Sequence, residues 1–217
     1  MKLKSVLILS MVLLAGCSSR SSLPDFTASG YLADRGAVRI WRKDTHQEVS
    51  HMMTVFSPFE GDATEITDYH WQAGNLLSIE RHIKGAHPDD ITLRFDQQGK
   101  LNFMQRQLVG RRESVSADAV ELYIFDAQRM LRISDALLTG RVMLKQGHWL
   151  SGGEVKTCQG AQEKPALDNS AIQYIMQRQS RSAVPVSIAW LEAPEGTQLL
   201  LVANEDFCQW EPTEKDF

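Results

Sequence analysis

The chain carries three cysteines and six histidines, the side chains most often used for metal binding, thiol chemistry and proton transfer. His46 and His51 are five residues apart, as are His82 and His87, and His70 stands between the two pairs. A zinc site needs ligands converging at about 2 Å, commonly from one turn of a helix. These histidines fall on predicted strands and loops, where a spacing of five sends side chains to opposite faces. No metal site is expected from them. The nearest approach to an acid–base pair is Asp89-Asp90, Asp118 with Asp126, or Glu192 with Glu195, and nothing in the sequence brings either member into one cleft. Asp89-Asp90 follows Pro88 and reads as the start of a turn. Ser29-Gly30 and Ser151-Gly152-Gly153 are not nucleophile elbows, because no G-x-S-x-G stands between a strand and a helix. Arg111-Arg112, and Arg178 with Arg181, read as solvated faces. The chain is therefore read as non-catalytic and without a cofactor.

The cysteines are informative in a different way. Lys2 and Lys4 precede an apolar run from Ser5 to Leu14, and Ala15 and Gly16 follow, the pattern of an export signal. The run is shorter than the roughly 20 residues a membrane-crossing helix needs. Leu-Ala-Gly-Cys at residues 14–17 resembles the bacterial lipobox, which implies cleavage of residues 1–16 and lipidation of Cys17. The acyl chains would then be the membrane anchor, since one chain alone binds only marginally and several hold firmly. Ser18 and Ser19 follow with no aspartate. By resemblance to enterobacterial sorting, that implies the outer membrane, with the chain facing the periplasm.

Cys158 and Cys208 are left as an even pair in an oxidising compartment, where a disulfide is the natural reading. It would close a loop of about 50 residues and stabilise the fold by on the order of 4 kcal/mol. A redox pair is the alternative. The sequence shows no Cys-x-x-Cys spacing and no adjacent histidine or lysine to lower a thiol pKa.

Residues 1–16 hold two lysines and no acid, so the mature chain keeps 21 basic residues against 27 acidic ones, a formal charge of −6. Such a balance opposes nucleic-acid binding, which needs a basic face, and electrostatic docking on anionic lipid. About 200 mature residues suit one domain with a substantial core.

The elements that must position any site follow from periodicity. Residues 17–29 are serine-rich and contain Pro24, and they read as a lipidated tether before a single domain over 30–217. Ala37–Lys43 alternates apolar and charged side chains as a half-buried strand does, and Ser50–Phe56 is similar. Glu65–Trp71 and Leu76–Ile83 flank Gln72-Ala73-Gly74-Asn75, and Ile91–Phe95 and Leu101–Leu108 flank a turn in which Gly99 takes positive φ. Six strands in an antiparallel meander result. From Ala117 to Leu138 the period becomes helical, with Ser116 as N-cap and Gly140 as the stop. Strand pattern returns at Arg141–Lys145 and Val155–Cys158. A shorter helix is predicted over Asn169–Gln179, and Val184–Leu191 with Gln198–Ala203 forms a last hairpin. The fold class is α+β, mainly β: an antiparallel curved sheet or partial barrel packed on one long helix.

On such a sheet Trp41, Trp71, Trp149 and Trp190 could line one concavity for a hydrophobic small ligand, although core packing is the commoner role of tryptophan. An envelope protein is the other partner class, and a carrier of lipid or other hydrophobic cargo the alternative function. Two stretches carry a family resemblance: Pro24–Asp34 continued by Val38–Asp44, and Trp190–Asn204 continued by Phe207–Trp210. With the lipobox, they resemble the YjaH-like family of uncharacterised enterobacterial lipoproteins, defined by a domain of unknown function. The resemblance implies the envelope address and carries no catalytic or ligand residues.

Overall fold

A computed structural model describes residues 23–217 except His46, Gln47 and Asp62. The export signal, Cys17 and His46 lie outside the described residues. Eight strands pair in chain order into one antiparallel sheet: β1 (Phe26–Ala33), β2 (Gly36–Asp44), β3 (Val49–Pro58), β4 (Thr64–Gln72), β5 (Asn75–Lys84), β6 (Asp89–Phe95), β7 (Leu101–Leu108) and β8 (Arg111–Glu113). The six predicted strands are present, and β1 and β8 extend the meander at both edges. The first half of β1, Phe26–Ser29, lies in what reads as tether, because small and polar residues there interrupt the apolar alternation of a strand. The domain therefore begins at Phe26 or earlier, not at residue 30. Ala73 and Gly74 both take positive φ, 48° and 78°, which is the backbone of the tightest hairpin turn.

The helix α1 (Ala117–Thr139) packs on one face of this sheet, and Ser116 caps it by accepting from the Ala119 N–H. Its far end departs from the expected glycine stop. Gly140 stays right-handed, and Arg141 takes the left-handed conformation with φ 54°. The Arg141 N–H donates to Leu138 O and the Val142 N–H to Leu137 O, which closes a Schellman motif around a non-glycine residue. Arg42 on β2 pins the helix through Asp135 at 2.6 Å.

A second antiparallel sheet follows. It comprises β9 (Met143–Trp149), β10 (Val155–Thr157), β11 (Gln162–Glu163), β12 (Ser187–Ala193) and β13 (Gly196–Ala203), ordered β11-β10-β9-β12-β13. The helix α2 (Asn169–Gln179), capped by Asp168, lies against its outer face. Three cores separate four layers. Val38, Ile40, Met52 and Ile79 meet Val120, Ala127 and Met130 of α1. Ala37, Trp41 and Val55 meet Leu144, Ala189, Leu191 and Leu200 between the sheets. Trp149, Ile188 and Trp190 meet Ile175 of α2. The order is helix, sheet, sheet, helix, and neither sheet closes into a barrel.

This layering corrects the reading of β2 as half-buried. Its even positions face α1 and its odd positions face the second sheet, so residues 36–41 are buried on both sides. Arg39 is fully buried with them.

Candidate functional site

Beyond β13 the chain turns back over the second sheet as a strap from Glu205 to Glu211, and chemically capable groups gather under it. Phe207 is fully buried in the intersheet core, and its N–H donates to Ser187 Oγ at 3.3 Å. The apolar anchor fixes the strap; its polar residues then fall over β9.

Asp206 is the hinge of one cluster. Its Oδ1 accepts from the Cys208 N–H at 2.9 Å and lies 2.8 Å from His148 Nε2. The other ring nitrogen of His148, Nδ1, lies 4.0 Å from Cys208 Sγ. Cys208 is bonded to Cys158, so the expected bridge ties the strap to the turn after β10. The histidine that sequence adjacency did not supply is provided by β9. Among the described residues, His148, Asp206 and Cys208 also have ligand atoms within 4.8 Å of one another. The sulfur is committed to the disulfide, and a metal needs a thiolate.

A second cluster lies at the sheet interface. Arg39 donates from Nη2 to Ser57 Oγ at 2.9 Å and from Nη1 to Gln146 Oε1 at 3.2 Å. Its Cζ lies 4.4 Å from the Phe207 ring centre and 4.5 Å from that of Trp210. Those rings meet edge to face at 6.2 Å, so the guanidinium fills an aromatic corner. Burial lowers the Arg39 pKa to about 10, opposed by the charges of Glu205 and Glu211; the side chain remains cationic at neutral pH. Burial also pushes the Glu211 carboxyl above its usual range, against the nearby Gln146 and Gln159 amides and Arg39. Arg39 Nε, Gln146 Nε2 and Glu211 Oε2 are buried with no hydrogen-bond partner among the described residues.

The other sequence-predicted residues are dispersed. His51 and His70 are cross-strand partners, stacked at 3.9 Å, a contact invisible to a spacing argument within one strand. Each has its own polar neighbour, Asp68 for His51 and Ser78 for His70. Asp89-Asp90 does not start a turn: the pair opens β6, with Asp89 gripped by both Nε and Nη2 of Arg106 and Asp90 at 2.8 Å from His82. The Arg106 hydrogen bonds hold the Asp89 carboxyl below its ordinary range. Asp126 pairs with Arg129, and Glu192 with Lys145.

The tryptophan concavity does not form. Trp71 is in the α1 core, Trp41 between the sheets, and Trp149 with Trp190 in the α2 core, none more than 7% exposed. Strands buried on both faces send alternate side chains into different layers. An open groove of about 870 Å³ lies instead beside α2. Ile172 and Met176 of α2, Trp149, Val184 and Pro185 line it, with Lys164 contributing to its wall. Only one of the four tryptophans contributes.

The family model for a protein of unknown function (DUF1481) matches residues 28–213. The chain belongs to the DUF1481 family. It is 50% identical over 215 residues, 99% of this chain and 93% of the relative, to the Escherichia coli (strain K12) protein described as uncharacterized protein YjaH. No solved structure matches it. The family therefore brings no ligand or reaction to the strap or the groove.

Arg39, Gln146, His148, Asp206 and Met176 were not singled out by sequence. Arg39 had one signal, a charge between Val38 and Ile40 in a strand that also carries Trp41.

Proposed function

We propose that this DUF1481 protein is a lipid-anchored, periplasm-facing module of the outer membrane that acts by binding and not by catalysis. Its ligand is a small amphiphile with an apolar body and an acidic head. The α2 groove carries this reading. Its volume of about 870 Å³ is within the roughly 300–1,000 Å³ range of small-molecule sites. Its walls are chiefly apolar, and Lys164 offers a cation for the head group. Met176 and Val184 are 59% and 54% exposed, surface that an apolar ligand would cover. The lipobox at residues 14–17 supports the address, and the acidic mature chain leaves the acyl chains as the anchor.

Titration with cis-parinaric acid tests the groove. Met176→Asp and Val184→Asp should each weaken binding at least tenfold, while Val109→Asp at the distant β7–β8 turn leaves it unchanged. Equal binding by all three variants, or none by the wild type, would sink the ligand reading. The address is tested separately: Cys17→Ala should move the protein from the membrane to the soluble periplasmic fraction.

A further inference from the structure

We infer that the Cys158–Cys208 bridge is a thiol-exchange centre, with His148 as the proton partner of Cys208 and Asp206 as its positioning residue. The inference rests on the strap and is independent of the groove.

The geometry has a direction. Asp206 Oδ1 is 2.8 Å from His148 Nε2, which fixes a proton on Nε2 and turns Nδ1 toward the bridge. Nδ1 is 4.0 Å from the sulfur of Cys208. Cys208 is therefore the sulfur whose thiolate is stabilised, by an imidazolium held in place. In exchange, the better-stabilised thiolate is the better leaving group, so attack is directed to Cys158. Both cysteines are only partly buried, and the His148 side chain is 31% exposed, so an incoming thiolate has access. The charged groups facing His148 are Asp206 from the strap and Lys156, its cross-strand partner on β10; its partner on β12, Ser187, is neutral.

The co-reactant is a dithiol. One of its thiolates attacks Cys158 Sγ, the S–S bond breaks, and the electron pair leaves on Cys208 Sγ, where the His148 Nδ1–H donates its proton. The second thiolate of the dithiol then attacks the mixed disulfide, freeing Cys158 and closing its own disulfide. Two electrons pass from the dithiol to the bridge; of the two protons the dithiol loses, one ends on Cys158 and the other restores the His148 imidazolium. Opening the bridge detaches the strap that carries Phe207 and Trp210 from the β10 turn, leaving the apolar anchor in the core.

The test uses the mature chain and dithiothreitol as the dithiol. The rate of bridge reduction is followed from pH 5 to 9 for wild type, His148→Ala, His148→Gln and Asp206→Asn. Reduction near pH 7 should slow about tenfold in both His148 variants and by less in Asp206→Asn. In reduced Cys158→Ala protein, the alkylation profile of Cys208 should show a thiolate pKa below the ordinary value of about 8.5, returning to it when His148→Ala is added. A mixed disulfide trapped with glutathione should map to Cys158. The inference is overturned by an ordinary Cys208 profile, by trapping on Cys208, or by His148 variants that reduce equally fast or faster at every pH. The last result would mark His148 as packing around an inert staple.

Discussion

Arg39 places its Cζ 4.5 Å from the centre of the Trp210 ring, so a fully buried cation of β2 is covered by an aromatic side chain from the end of the chain. Its hydrogen-bond acceptors are neutral, Ser57 and Gln146. A desolvated cation on an aromatic face contributes about 2 kcal/mol, and the long stem fills core volume besides.

That arrangement predicts a graded response. Arg39→Ala leaves a cavity and strands the Gln146 acceptor, and should cost about 3 kcal/mol. Arg39→Met keeps the volume without a charge to desolvate and should cost less than half of that. Urea denaturation of both variants decides; equal losses would mean the charge, not the volume, carries the stability.

Acid should weaken the fold through His70. Burial, and then the neighbouring His51, lowers its pKa below 6.5, opposed by Asp68 and Glu80. The unfolded chain binds this proton more tightly, so stability rises with pH. The contribution is complete above about 6.5 and is lost as pH falls through the lower folded value. His70→Gln should flatten the dependence of the unfolding midpoint as pH falls below about 6.5. An unchanged slope would assign the acid sensitivity to other groups.

The helix stop at Arg141 is strained. A non-glycine residue in the left-handed region costs about 1–2 kcal/mol, partly offset by the greater freedom glycine has when unfolded. Arg141→Gly should raise stability by about 0.5–1 kcal/mol, read as a higher melting temperature. Destabilisation would show that the exposed Arg141 side chain makes a contact worth more than the strain.

Gly147 should tolerate no side chain. A Cβ there would lie 2.2 Å from the Lys156 carbonyl oxygen and 2.7 Å from Thr157 Cα, both backbone atoms of the paired strand. Gly147→Ala should cost about 2–4 kcal/mol and disturb the register that presents Cys158 to Cys208. Wild-type stability with an intact bridge would refute this close approach.

Much of this protein is set locally and was therefore readable along the chain. Helical period and caps placed α1 from Ala117 and α2 over Asn169–Gln179, and the two-residue turn at Ala73-Gly74 placed a hairpin. The disulfide partners followed from there being two cysteines besides Cys17. What the sequence could not determine was which face each strand buries and against what. A strand buried on one face and a strand buried on both differ in their neighbours, not in their own residues, and β2 was misread for that reason. The same pairing of layers parted the four tryptophans among three cores. It also brought together residues distant in sequence: Arg39 under Trp210, and His148 beside Cys208. Proximity between distant residues is decided by how sheets stack and where an apolar anchor such as Phe207 inserts, so both polar clusters beneath the strap belong to the tertiary structure alone.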